Sequence, residues 1–110
     1  MNPIEQFEKL LADGKDDAVL RYSLGTAYSS EGQHSEAIVH LAQALAYNPW
    51  YSAAWKAYGK ALTETNQLDQ ARKAYERGIE AAEDNGDKQA VKEMQVFLKR
   101  LQKQSADGNE

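Results

Sequence analysis

The chain lacks cysteine altogether, has only two prolines among its 110 residues, and has no apolar run long enough to cross a bilayer. The absence of Cys excludes disulfides and thiolate metal ligands. The first residues, Met-Asn-Pro-Ile-Glu, have neither the positive charge nor the apolar stretch of a secretory signal. These absences predict a cytoplasmic protein that has no membrane partner.

Positive charge is also scarce, because 13 Lys and Arg stand against 17 Asp and Glu, for a net charge of −4. Sequence-independent binding to nucleic acid needs clustered Lys and Arg, so we expect no nucleic-acid partner. The charge is unevenly distributed: residues 1–48 contain 3 basic and 7 acidic side chains, whereas residues 88–103 contain 5 basic and 1 acidic. An anionic partner is therefore expected to meet the C-terminal end.

Residues suited to catalysis or metal binding are few. The two histidines, His34 and His40, are six positions apart, so they do not share one face of a helix. No Gly-rich phosphate loop and no metal-ligand spacing is present. We expect no catalytic residue, no metal, no cofactor and no enzymatic activity, and we interpret both histidines as structural or solvent-exposed.

What the chain does contain is an internal repeat with a period of 34 residues. The matched identities are Gly25 with Gly59, Ala27 with Ala61, Gln33 with Gln67, and Ala37 with Ala71. Apolar spacing in each copy is helical and breaks at a polar segment in the middle, which predicts two antiparallel helices per copy. Over the whole chain we predict helices at about 3–12, 17–30, 35–47, 51–64, 69–84 and 87–103.

The apolar positions of the two copies follow one pattern. The second copy has Trp55, Tyr58-Gly59, Leu62, Ala71, Tyr75 and Gly78. The first copy has Leu24-Gly25, Tyr28, Ala37, Leu41, Ala44 and Pro49. With the 34-residue period, this pattern resembles the tetratricopeptide repeat (TPR), and the chain is similar to small stand-alone bacterial TPR proteins. The resemblance implies an all-α fold, a right-handed α–α superhelix of about six antiparallel helices, that serves as a protein-interaction scaffold or adaptor.

Two departures from the repeat pattern have structural consequences. Arg21 stands where Trp55 stands in the second copy, which predicts weaker outer packing in the first copy. Glu83 replaces the closing proline of the second copy, so its last helix is expected to run on.

The flanking segments complete one domain over residues 1–104. We expect a half-repeat helix at 3–12, full repeats at 18–51 and 52–85, a capping helix at 87–103 and a disordered tail at 105–110. A strict 34-residue offset would bury charged residues of the cap, whereas a 36-residue spacing places Val91, Met94 and Leu98 toward the core, and we prefer the second register.

The resemblance also implies a concave groove that is lined by the first helix of each pair. The predicted groove residues are Tyr22, Thr26, Ser29, Lys56, Lys60, Thr63, Lys92, Lys99 and Arg100. We hypothesise that the basic members, with Tyr22 as an aromatic platform, receive an acidic or C-terminal segment of another protein or peptide. The alternative is that these Lys and Arg side chains only keep the surface soluble.

Some TPR proteins clamp a C-terminal carboxylate with Lys, Asn and Arg at set groove positions. This chain has Tyr22, Thr26 and Ala57 at those positions, so the resemblance does not imply that chaperone-binding specificity.

Two further interpretations remain open. Trp50 and Tyr51, which flank the turn at Pro49, are either an exposed aromatic contact or packing between the two units. The terminal helices could also stack on a second copy, so the competing function is structural self-assembly as a homo-oligomer, in its simplest form a homodimer.

Overall fold

The computed structural model describes residues 2–108, with side chains described for residues 2–104, and it is built from six helices. These are α1 (Pro3–Ala12), α2 (Ala18–Ser30), α3 (His34–Tyr47), α4 (Ser52–Glu64), α5 (Leu68–Asp84) and α6 (Lys88–Gly108). The first five agree with the predicted helices to within one residue at each end.

The last helix corrects the predicted start of the tail. Helix α6 continues to Gly108, whereas we expected it to end at residue 103 and to be followed by disorder from residue 105. No proline interrupts the segment, and Gln and Ala favour a helix until the glycine. The remainder of the predicted tail, residues 109 and 110, lies outside the described residues.

Local signals set the helix boundaries. Asp17 caps α2 by accepting a hydrogen bond from the Leu20 amide at 2.8 Å, and Asp87 accepts from the Ala90 amide at 3.0 Å. The turns within the two repeats use equivalent residues, Gly32 and Asn66, with positive φ angles of 74° and 60°. Gly and Asn are the residues that tolerate this left-handed conformation.

The helices form two layers that alternate along the chain. The backbone of α4 approaches those of α2 and α6, whereas within the described part of the chain the backbones of α1, α3 and α5 do not approach one another. The closer spacing places α2, α4 and α6 on the inner side of the curved stack. None of the described helices has the length and apolar character needed to cross a membrane.

Each helix pair crosses closely at a glycine. A Cβ atom at Gly25 would lie 2.5 Å from Cγ of Leu41, and one at Gly59 would lie 2.5 Å from Cε1 of Tyr75. Leu41 and Tyr75 are almost completely buried. The large side chain of the second helix therefore fills the space that the glycine of the first helix leaves open.

The crossing of α5 with α6 also occurs at a glycine, but its residues are arranged differently. Gly78 belongs to the second helix of its pair, and a Cβ there would meet Sδ of Met94 at 2.5 Å and Cβ of Trp55 at 2.8 Å. Met94 is fully buried, whereas Lys92 is exposed, as the 36-residue spacing predicts. Helix α5 ends at Asp84, three residues beyond the position equivalent to the end of α3, so the missing proline does lengthen it.

Where the second repeat has Trp55, the first has a polar network around Arg21. The Arg21 guanidinium donates to both carboxylate oxygens of Asp16 at 2.8 and 2.9 Å, and its Nη1 lies 3.1 Å from Nδ1 of His40. His40 stacks on Tyr28 with ring centroids 5.4 Å apart, and the Tyr28 hydroxyl donates to Glu8 at 3.0 Å. Because Glu8 belongs to α1, the network ties the half-repeat helix to the first full repeat.

We predict that Gly59→Ala destabilises the fold although Ala is the better helix former. Ala gains about 1 kcal/mol over Gly in a helix interior, but moving the buried Tyr75 ring costs roughly 1–3 kcal/mol. Urea unfolding of both proteins measures the net loss, which we expect to be about 1 kcal/mol.

The control for this prediction is a double-mutant cycle with Tyr75→Ala. If the clash with the ring causes the loss, the doubly substituted protein loses less stability than the two single losses together. Strict additivity would show that Gly59→Ala acts elsewhere.

We also predict that stability falls as the pH decreases below about 6.5, the ordinary pKa of histidine. Burial lowers the pKa of His40, a shift that Arg21 reinforces and Glu8 opposes. The unfolded chain then binds a proton more readily than the folded chain, so acidification favours unfolding. The measurement is urea unfolding between about pH 5.5 and 7.5, a range that largely avoids carboxylate titration.

His40→Gln is the control, because Gln keeps a polar side chain at this position but does not titrate. We expect the difference in unfolding free energy between the two proteins to change with pH. A constant difference over this range would contradict the prediction.

Candidate protein-interaction site

Three basic side chains of the inner layer lie where α4 meets α6. Lys56 and Lys60 lie one turn apart on α4, and Arg100 lies on the facing side of α6. Lys56 donates to Oε2 of Glu93 at 2.8 Å, and the same carboxylate accepts from Gln89 at 3.3 Å. The hydrogen bond from Lys56 lowers the pKa of Glu93, so this pair holds the two helices together as neutralised partners.

One turn further along, a surface cavity of about 260 Å³ opens between the same helices. Its lining residues are Lys60, Thr63, Glu64, Tyr75, Phe97, Arg100, Leu101 and Gln104. Lys60 Nζ lies 5.9 Å from the centroid of the Phe97 ring, and the Arg100 guanidinium carbon lies 5.8 Å from it. Two cations therefore lie near one aromatic ring beside an open cavity, and each is within range of a cation–π interaction.

The inner wall of the cavity is formed by two packed aromatic rings. The Tyr75 and Phe97 ring centroids are 5.6 Å apart, and Tyr75 is 2% exposed. Burial raises the pKa of Tyr75 to about 12, so its hydroxyl stays protonated at neutral pH. Thr63 donates a hydrogen bond to the carbonyl of Gly59 at 2.8 Å, which fixes its side chain against α4.

The structure brings only some of the predicted groove residues together at this cavity. Lys60, Thr63 and Arg100 line the cavity, and Lys56 lies next to it. Lys92 and Lys99 are exposed on the side of α6 that points away from the buried Met94, so they do not face α4. Lys92 instead lines a second depression, at the C-terminal end of the stack.

The predicted residues of α2 do not reach the cavity. Tyr22 is half-buried and packs against Tyr51, with ring centroids 5.0 Å apart, so the aromatic platform faces the next repeat. Thr26 donates to the Ser23 carbonyl at 3.1 Å, and Ser29 is half-buried.

The two aromatic residues at the turn between α3 and α4 have different surroundings. Tyr51 packs between the units through its contact with Tyr22, which agrees with the packing interpretation. Trp50 is 54% exposed, while its backbone carbonyl accepts a hydrogen bond from Asn85 at 3.0 Å. The turn is therefore held in place by its backbone, and the indole of Trp50 faces solvent.

Two residues that shape this site, Glu93 and Phe97, are not among the residues that the sequence predicts for the groove. The available signal is helical spacing, since Glu93, Phe97 and Arg100 follow each other at intervals of four and three on one face of α6.

Among the side chains that the structure describes, no three His, Asp or Glu converge into a group that could hold a metal ion. The residues that line the cavity offer hydrogen-bonding groups, charge and apolar surface.

Comparisons with known proteins agree with this architecture. A family model of the tetratricopeptide repeat matches residues 28–94. A TPR repeat-containing protein of Pseudomonas aeruginosa is 47% identical over 98 residues, which are 89% of this chain and 93% of the relative.

Two solved structures extend the comparison. A Bordetella parapertussis protein superposes with a TM-score of 0.84 at 43% identity, covering 96% of this chain and 92% of that chain. The second TPR domain of human RPAP3, solved in complex with the HSP70 peptide SGPTIEEVD, gives a TM-score of 0.74 at 27% identity, covering 90% of this chain and 78% of the domain. The chain therefore belongs to the tetratricopeptide repeat family, whose members act as protein-interaction modules.

Proposed function

We propose that this protein is a non-enzymatic scaffold or adaptor that binds an acidic segment of another protein where α4 meets α6. The observation that carries this proposal is the placement of Lys60 and Arg100 beside one cavity, both near the ring of Phe97.

The charge balance at the cavity favours an anion. Among the described side chains, neither Lys60 nor Arg100 belongs to an ion pair, whereas Lys56 is already neutralised by Glu93. Glu64 also lines the cavity, so the lining carries two positive charges against one negative charge. A carboxylate that enters here gains two cationic neighbours.

The apolar surface adds a second requirement for the ligand. Phe97 and Leu101 leave part of the cavity surface apolar, and a side chain such as Val or Ile can cover it. The segment that fits best therefore combines acidic residues with an aliphatic one. The RPAP3 domain binds a peptide of this composition, which supports the same chemistry here although the residues of the cavity are this chain's own.

We predict that the peptide SGPTIEEVD binds more tightly than a peptide of equal length in which Gln and Asn replace the acidic residues. In the protein, Lys60→Glu and Arg100→Glu should each weaken binding of the acidic peptide by about 3- to 10-fold, because each reversal replaces a favourable charge contact by a repulsive one. Fluorescence anisotropy at low salt measures both effects.

Lys73→Glu is the matched control, because it changes the net charge equally at an exposed position of α5 outside this cavity. It should leave the affinity nearly unchanged. Equal binding of the acidic and the uncharged peptide, or an equal loss in the control, would exclude the cavity as the acidic-segment site.

A further inference from the structure

The two ends of the stack are complementary halves of one repeat. In repeat register, helix α1 corresponds to the second helix of a pair, and α6 corresponds to the first helix of a pair. In a tandem repeat a neighbouring helix covers each such face, and no described helix covers either of them here.

The open face of α1 follows from the repeat register. Pro3, Phe7 and Leu10 lie 34 residues before Ala37, Leu41 and Ala44, the α3 residues that are fully buried between α2 and α4. In α1 the same positions are less covered: Pro3 is exposed, Phe7 is half-buried and Leu10 is 38% exposed.

The open face of α6 lies on the other end. Val91 and Leu98 are half-buried, and 36 residues earlier their counterparts Trp55 and Leu62 pack against α5. Beside them is a depression of about 420 Å³, to which Ala82 and Gly86 contribute. Apolar surface and space are therefore available where the missing second helix belongs.

Charge favours the pairing of unlike ends. Residues 1–48 carry 3 basic and 7 acidic side chains, whereas residues 88–103 carry 5 basic and 1 acidic. Helix α1 has Glu5 and Glu8 against Lys9, and Glu8 is already bound by Tyr28. At the open face of α6, three lysines face two carboxylates: Lys88, Lys92 and Lys99 against Glu83 and Asp87. Two acidic ends or two basic ends repel each other, and an acidic end attracts a basic one.

We propose that α1 of one copy packs on the open face of α6 of a second copy, head to tail, so that the two helices form a composite repeat. The contact joins two different surfaces, so each copy keeps one free end and further copies can add. This association uses neither Lys60 nor Arg100 and does not depend on the proposed function.

The contact is weaker than a crossing inside the chain. Gln95 stands in α6 where Gly59 stands in α4, so the incoming helix cannot approach as closely. We therefore expect reversible association that rises with protein concentration.

The test blocks each end separately. Leu10→Lys places a positive charge on the open face of α1, and the double substitution Lys92→Glu with Gln95→Glu places negative charge on the open face of α6. All three positions are exposed. Sedimentation equilibrium up to about 1 mM protein measures the average mass, a range in which even weak association is populated.

The unmodified chain should exceed its monomer mass of 12.3 kDa as concentration rises, less so at about 0.5 M salt. Each blocked variant alone should remain monomeric. An equal mixture of the two should associate again, because the intact α6 face of one meets the intact α1 face of the other and the introduced charges have opposite signs.

Val39→Lys on α3 and Val96→Glu on another face of α6 are matched controls at exposed apolar positions, and both should associate like the unmodified chain. Thermal unfolding of every variant shows that it is folded. The proposal is overturned if the unmodified chain stays monomeric, if a blocked variant still pairs with itself, or if the mixture stays monomeric.

Discussion

The close crossing of the two helices in each pair is the constraint on which the rest of the structure depends. Gly25 and Gly59 allow the backbone of the first helix to approach the second, and Leu41 and Tyr75 fill the space that the missing side chains leave. Because the same crossing recurs after 34 residues, neighbouring pairs stack in the same orientation and bring α2, α4 and α6 to one side. The inner surface is thus a consequence of where small residues stand in the sequence.

The two repeats keep this crossing but stabilise its surroundings differently. In the second repeat, Trp55 packs into the core, and its indole nitrogen donates to the Pro49 carbonyl at 2.8 Å. In the first repeat, Arg21 replaces the indole and forms a polar network with Asp16 and His40 instead. The network extends to Glu8, so the substitution that we expected to weaken the first repeat also provides the polar attachment of α1.

The candidate site depends on an irregularity in the repeat. Helix α5 continues to Asp84 because no proline stops it, and α6 follows with a spacing that differs by two residues. This shift buries Met94 and turns Phe97 and Arg100 toward Lys60. A strictly regular third repeat would present Lys92 and Glu93 to the core, and the cavity beside Phe97 would not have this lining.

The sequence by itself determined the helices, their pairing and the family, because helix signals and the 34-residue pattern are local or strictly periodic properties of the chain. It also indicated that α4 and α6 carry basic residues. Only the tertiary structure decided that Lys56 is neutralised by Glu93, that Lys60 and Arg100 share the ring of Phe97, and that Lys92 and Lys99 point elsewhere. The spacing predicted that Met94 faces the core, but which α6 side chain meets which α4 side chain depends on long-range packing between the two helices, which no local pattern specifies.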